Sequence, residues 1–245
     1  MKTLVIGANS DISIELCKIF AYEKAEFYLF GRNKVNLESV KNELSIIGAK
    51  NIEIKNFDFL DYTTLTEEID RAWITSKGFD YVIVAYGILL QSKDFLNSSE
   101  HISKTIRTNT ESPMIALTKI AENIMNQDFF SRLLVFGSVA GDRGRYSNYL
   151  YGASKASIHS FVEGLRARIS KKNGSILLIK PGIVRTKMTA NSSSPEFLIS
   201  KPSIIAKKIY KYRKKNRSIY VPGYWRYILL VIRLIPSFIF LKLKI

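Results

Sequence analysis

Lys2-Thr-Leu-Val-Ile-Gly7-Ala-Asn-Ser-Asp11-Ile-Ser13 is the stretch that decides the fold. Lys2–Ile6 reads as a strand and Gly7 ends it. Asp11–Tyr22 reads as a helix with Ile12, Leu16, Ile19 and Phe20 on one face. A glycine at a strand end lets the backbone approach a phosphate closely. The helix start that follows offers unpaired amides and the positive end of a dipole. Such a turn is where a dinucleotide lies in an open parallel sheet. Gly7, Asn9, Ser10, Asp11 and Ile12 are therefore the candidate pyrophosphate contacts. A full glycine fingerprint has glycine at positions 11 and 13; Asp11 and Ser13 stand there instead, and both also suit a helix cap.

Outward from this turn the pattern repeats. Glu26–Phe30, Asn51–Asn56, Tyr81–Ala85, Arg132–Phe136 and Ser175–Ile179 read as strands. Helices are expected over Leu37–Ile47, around Thr64–Thr75, over roughly 102–125 and over 152–169. Strand and helix in alternation mean parallel pairing with crossover helices. The run Leu133–Phe136 is apolar throughout, as a strand covered on both faces should be. The expectation is an α/β fold: a doubly wound, Rossmann-like parallel sheet in a single domain over residues 1–222. A basic amphipathic C-terminal tail, 223–245, follows it. Residues 187–200 are polar and serine-rich and read as a loop.

Composition narrows the function classes. The 245 residues are 47% apolar and 24% charged, an ordinary globular balance. One cysteine, Cys17, and two histidines, His101 and His159, argue against a disulfide framework and against a metal site. These three, with Met188, read as structural. Met1–Ile6 is too short an apolar run for a signal peptide, so the chain is expected to stay on the reducing side of a membrane. The net charge of +16 is uneven: residues 201–245 hold 12 basic residues and no acidic one, which leaves +4 for the rest. A cationic tail on a nearly neutral body points to a polyanionic partner.

Two further groups of residues carry chemistry. The second strand ends at Gly31-Arg32-Asn33, with no carboxylate to hold ribose hydroxyls. Arg32 offers a guanidinium fork for a 2′-phosphate, which favours NADP(H) with NAD(H) second. Asp58, after the third strand, would face the adenine side of the crevice or cap the next helix. Tyr151 and Lys155 stand at i, i+4 on one helix face. A lysine cation beside a phenol lowers the phenol's pKa and suits it to proton transfer. Ser138 ends the preceding strand, at the edge of the sheet where ligands bind.

With Ser138, Tyr151, Lys155 and the Gly7 turn together, residues 1–190 resemble the short-chain dehydrogenase/reductase family. The resemblance implies Tyr151 as general acid for carbonyl reduction and Ser138 as hydrogen-bond donor to the carbonyl. It implies Lys155 on the nicotinamide ribose, and Asn109 as the helix asparagine that completes a tetrad through a water. Pro181, Gly182, Val184 and Thr186 match the family's PGxxxT segment against the nicotinamide. Ala85, Tyr86 and Gly87 stand where the family usually has Asn-Asn-Ala-Gly. A four-helix contact between two copies, using helices 102–125 and 152–169, is implied in the same way. A narrower likeness runs through VAYGIL (84–89), SVAGDRGRYSNYLYGASKA (138–156), KPGIVRTKM (180–188) and YWRYILLVIRLIPSFIF (224–240). These segments look like the decaprenylphosphoryl-2-keto-ribose reductases of cell-wall arabinose synthesis and related surface-polysaccharide enzymes.

Tyr227–Leu241 is apolar except for Arg233, Pro236 and Ser237. It is short for a span, carries a cation near its centre and contains a helix breaker. It is expected to lie in an interface, with Trp225 and Tyr227 at headgroup depth and Arg226, Arg233, Lys242 and Lys244 near phosphates. Lys207–Arg217 is expected to add cation density facing the same anionic leaflet. The expected protein is a cytoplasmic reductase, peripheral on the inner face of the membrane. It reduces a keto-sugar linked to a lipid, with Ser192, Ser193 and Ser194 in the loop closing over the sugar. A flavin oxidase would supply the ketone, no nucleic acid is involved, and the protein is a homo-oligomer. The alternatives are a reductase of a nucleotide-linked keto-sugar or a lipid carbonyl, with the tail packed on its own core or a partner, and a catalytically silent dinucleotide sensor.

Overall fold

The computed structural model describes residues 1–90, 98–190 and 195–243. Seven parallel strands form one sheet in the order β3-β2-β1-β4-β5-β6-β7. They are β1 (Lys2–Ile6), β2 (Glu26–Gly31), β3 (Asn51–Asn56), β4 (Tyr81–Val84), β5 (Ser131–Phe136), β6 (Gly174–Pro181) and β7 (Ser218–Val221). The helices are α1 (Asp11–Tyr22), α2 (Lys34–Ile47), α3 (Tyr62–Ser76), α4 (Ser99–Ile106), α5 (Ser112–Asn126), α6 (Tyr149–Ile169), α7 (Pro202–Tyr212), α8 (Trp225–Leu234) and α9 (Ser237–Phe240).

Alternate residues of each strand feed opposite faces of the sheet. Val5, Phe27 and Leu29 join one core layer with residues of α1, α2 and α7. Leu4, Ile6 and Phe30 join the other with α3, α5 and α6. Both faces are therefore buried, as a doubly wound parallel sheet requires. Strand order reverses between β1 and β4, and the open crevice of such a sheet lies at the carboxyl ends there.

Local chemistry sets several boundaries. Asn33 caps α2 by accepting from the Asn36 amide at 2.9 Å, and Asp61 caps α3 by accepting from Thr64 at 3.1 Å. The long helix expected over 102–125 is three pieces: α4, a π-helical turn at Arg107–Glu111, and α5. Pro236 separates α8 from α9.

β7 and α7 were not among the expected elements. β7 runs for four residues, with Ser218 beside Leu178 and Val221 beside Pro181. The chain enters it at the amino edge of the sheet and leaves at the carboxyl edge. The basic turn up to Arg217 and the start of α8 therefore stand at opposite edges, about 10–13 Å of strand apart. The cations on the tail itself are Arg226, Arg233 and Lys242, all exposed; Lys244 lies outside the described residues. No helix among the described residues is long and apolar enough to cross a membrane.

Candidate active site

The Gly7 turn is shaped by close packing. Gly7 has φ +96°, and a Cβ there would meet Ala85 and Tyr86 at 2.9 Å. Only glycine combines that left-handed backbone with that approach. The turn thus rests on the segment after β4. The Asn9 side-chain oxygen lies 3.4 Å from the Asn33 amide, and its Nδ2 is buried without a hydrogen-bond partner among the described residues. The Ser13 hydroxyl is likewise buried and unpartnered. Buried polar groups are normally hydrogen-bonded, so a donor like Asn9 Nδ2 fits a ligand acceptor in this turn. The first-turn amides of α1, from Asp11 to Ser13, are of the kind a helix leaves unpaired. Ser10 occupies the N-cap without a side-chain cap bond, and Ile12 is buried. Asp11 turns the other way: its carboxylate accepts from the Lys187 amide at 2.9 Å and ties the turn to the segment after β6.

Arg32 is exposed at the end of β2. Asp58 is exposed too, and its carboxylate accepts from the Leu60 amide at 3.1 Å. Asp58 therefore does not cap α3, because Asp61 does.

Beyond β4, the Tyr86 hydroxyl meets Ser112 Oγ at 2.9 Å, and its ring packs on Phe59. Burial raises the Tyr86 phenol. A Cβ on Gly87 would lie 2.9 Å from Asn109 Oδ1 and 3.4 Å from Lys155 Nζ, so the backbone passes directly over both side chains. Asn109 is fully buried in the π-helical turn, a form often found at functional sites. It accepts from the Ile88 amide at 2.7 Å and donates to the Ile88 carbonyl at 2.8 Å and to Ser154 Oγ at 3.2 Å.

Ser138 heads a 3₁₀ turn, Val139–Asp142, and accepts from the Ala140 amide at 3.1 Å. That turn is pressed against α6. A Cβ on Gly141 would meet the Lys155 and Ala156 backbone at 2.8 Å, and one on Gly152 would meet the Ala140 carbonyl at 2.8 Å. Close approach brings the Ser138 side chain to the Tyr151 phenol. Lys155 Nζ lies 5.8 Å from the Tyr151 ring centre and donates to the Phe136 carbonyl at 3.3 Å. Ser138, Tyr151, Lys155 and Asn109 thus stand together where β4 and β5 end.

The electrostatics differ from the sequence expectation. Burial pushes the Tyr151 phenol up, with the Ser138 hydrogen bond working against it. Burial also lowers Lys155 to about 8. Desolvation drives both groups towards their neutral forms. The consequence is a phenol that keeps its proton at neutral pH, the form an acid must have before it donates.

Under this cluster lies a network that the sequence did not reveal. The Asp142 carboxylate accepts from Lys180 Nζ at 2.7 Å and from the Tyr220 hydroxyl at 2.5 Å, and His159 Nδ1 stands 3.4 Å away. Burial opposes ionisation of Asp142, but these three partners outweigh it and hold the carboxyl well below the usual range. Tyr220 is pushed up to about 12 by burial and by Asp142. His159, expected only to pack, faces the Ser138 amide with Nε2 at 3.4 Å. An accepting Nε2 leaves the proton on Nδ1, towards Asp142. Burial keeps the ring neutral by lowering its pKa.

The segment Pro181-Gly182-Ile183-Val184-Arg185-Thr186 leaves β6 at the same edge. Pro181 and Val184 are buried, and Thr186 caps the short turn Lys187–Thr189. Gly182 lies under the Trp225 indole, so tightly that a Cβ would overlap Nε1. The Tyr224 hydroxyl reaches the Leu198 carbonyl at 3.4 Å, and Leu198 packs with Trp225 and Leu229. α8 is therefore a wall of the mouth. Ser192, Ser193 and Ser194 lie outside the described residues.

The family model for short chain dehydrogenase matches residues 2–196. An uncharacterized oxidoreductase of Mycobacterium tuberculosis is 25% identical over 240 residues, 98% of this chain and 96% of its own length, so that match reaches into the tail. Among solved structures, a short-chain type dehydrogenase/reductase from Mycobacterium marinum superposes with a TM-score of 0.82 at 16% identity, over 91% of this chain and 94% of that one. An actinorhodin polyketide ketoreductase variant solved with NADPH gives 0.80 at 16% identity, over 91% and 96%.

Proposed function

The chain belongs to the short-chain dehydrogenase/reductase family, and we propose that it is an NADPH-dependent reductase of a keto-sugar carried on a polyprenyl phosphate, working at the cytoplasmic face of a membrane. Gly7, Asn9, Ser10, Ile12 and the amides of α1 would hold the pyrophosphate, and Arg32 the 2′-phosphate. Asp58 would stand on the adenine side, and Ala85, Tyr86, Gly87, Pro181, Gly182, Val184 and Thr186 would line the nicotinamide half. NADPH, when bound, supplies the hydride. A fold neighbour solved with NADPH supports that cofactor, as does the lack of a carboxylate at the end of β2.

The chain's own groups handle the oxygen. Ser138 Oγ hydrogen-bonds the substrate carbonyl. Tyr151 gives its proton to that oxygen as the carbonyl carbon becomes a C–H centre, and solvent restores the proton. Lys155, cationic below about pH 8, favours the departure of that proton. Asn109 fixes the Ile88 backbone beside Lys155.

The observation that carries the lipid-linked substrate is the packing of α8. An apolar, cation-bearing helix is built into the mouth through Trp225 on Gly182 and Tyr224 on Leu198. A water-borne sugar nucleotide needs no such wall. Likeness to the polyprenyl-phospho-keto-pentose reductases supports the same substrate, and such a pathway needs an oxidase, of the flavoenzyme class, to make the ketone.

The test offers purified protein NADPH or NADH with a polyprenyl-phospho-2-ketopentose in anionic vesicles, beside the matching nucleotide-linked ketose without lipid. Turnover with NADPH on the lipid-linked substrate is expected, falling about 10²–10⁴-fold in Tyr151→Phe. Turnover on the nucleotide-linked ketose alone would sink the lipid assignment and keep the chemistry.

A further inference from the structure

α8 is apolar on two opposite faces. One packs on the body: Trp225 and Leu229 are buried against Val139 beside the Ser138 turn. The other looks outward and continues through α9. Tyr227, Leu230, Val231, Leu234, Phe238 and Leu241 recur at helical spacing, and each is more than half exposed. A contiguous apolar face of this kind marks an interaction surface.

We propose that this outward face docks on an anionic lipid bilayer, with α8 and α9 lying in the headgroup region and the crevice mouth turned towards the lipid. The inference deepens the reading above, but its test needs no substrate, so the two can fail separately.

Charge selects the occupant. Arg226 and Lys242 are exposed on the same segment, Arg233 between them also reaches the Tyr220 hydroxyl, and no acidic residue occurs from 201 onward. A second copy seated on this face would bring one acid-free cationic tail against another. An anionic headgroup layer neutralises these cations while its acyl boundary takes the apolar stripe. Crossing is not available to helices of ten and four residues divided by Pro236.

The protein also holds this face in place. Arg143, in the turn after Ser138, donates to the carbonyls of Ile232 and Ile235, the latter at 2.8 Å. The same guanidinium stacks on Phe240 at 3.8 Å. A cation on the last carbonyls of α8 satisfies groups a helix end leaves open. Arg143 thereby pins both helices beside the catalytic serine, and this sets the orientation of the docked molecule.

The experiment is co-sedimentation of the full chain with two sets of vesicles. One is pure phosphatidylcholine; the other contains about one-third phosphatidylglycerol. Binding to the anionic vesicles is expected, weakening as salt is added and in Arg226→Glu/Lys242→Glu. The triple variant Val231→Gln/Leu234→Gln/Phe238→Gln should partition about tenfold less or weaker still. Its melting temperature and NADPH affinity should match the parent, because each of these side chains is more than half exposed. Three results would overturn the proposal: no binding by the parent, unchanged binding by a folded triple variant, or a parent dimer that the triple variant converts to monomer.

Discussion

The two halves of the crevice are built on opposite plans. On the β1–β2 side, two polar groups at the ligand position are left open by the fold: Asn9 Nδ2 and Ser13 Oγ are buried and have no partner among the described residues. On the β5–β7 side, the groups beneath Ser138 saturate one another through Asp142, Lys180, Tyr220 and His159. The first side is completed by what it binds. The second is completed by folding, and so can hold Ser138 and Tyr151, the candidate reacting pair, in register before any ligand arrives. Substitutions on the first side should change affinity and leave stability alone; those on the second should change stability as well as turnover.

Asp142→Asn is the strongest way to break that distinction. Removing the carboxylate leaves Lys180 nearly buried without its anion, and the cost should be about 3 kcal/mol at pH 7 in denaturant unfolding, with slower turnover. The pH dependence has a definite sign. The folded carboxyl lies below its unfolded value of about 4, so the stability it adds is complete above that pH and is lost as pH falls further. The gap between parent and variant should therefore close in acid. A gap that stays constant with pH would mean that packing, not charge, makes the network.

Lys155→Met sharpens the comparison from the other direction. Lys155 is a buried cation with one carbonyl partner at 3.3 Å, and its folded value near 8 lies below its unfolded value near 10.5. Between those values the unfolded chain binds the additional proton, so parent stability should rise with pH across that window. The methionine variant should lack the rise and be more stable at pH 7, by about 2 kcal/mol, while losing turnover. A variant that melts lower than the parent at pH 7 would refute the desolvation argument.

Two smaller effects belong to the open side. Arg32→Asp should reverse the preference for NADPH over NADH, weakening NADPH binding roughly tenfold with little change in melting temperature. Equal affinities for both cofactors in the parent would remove the role given to Arg32. Asn9→Ala should weaken NADPH binding about fivefold in a fluorescence titration, because only one hydrogen bond of the pyrophosphate turn is lost. A large loss of stability there would show that Asn9 belongs to the scaffold.

Legibility in the sequence follows from the range of the interactions. The Gly7 turn, the Asn51–Asn56 strand and the Asp11–Tyr22 helix were readable because glycine, alternation and helical spacing act within a few residues. So was Tyr151 with Lys155, at one turn of helix. β7 was hidden by its shortness and its basic lead-in, and the 102–125 stretch by a π-helical turn that leaves the hydrophobic spacing almost unchanged. Asp142 meets Lys180 across 38 positions and Tyr220 across 78, so no local pattern marks the three as partners.

The sequence by itself determined the fold class, the position of the glycine turn between β1 and α1, the residue types that gather where β4 and β5 end and the amphipathic, acid-free tail. Each follows from side-chain order along one element, and neither burial nor distant neighbours are needed to see it. Tertiary structure alone decided the protonation balance. Tyr151 is raised and Lys155 lowered because burial in the packed molecule disfavours the charged form of each. It also decided that His159 faces the Ser138 amide, that the turn leading into β7 and the start of α8 stand at opposite ends of that strand, and that α8 packs on the segments after β6. Desolvation and long-range contact are properties of the packed molecule, and no window of sequence contains them.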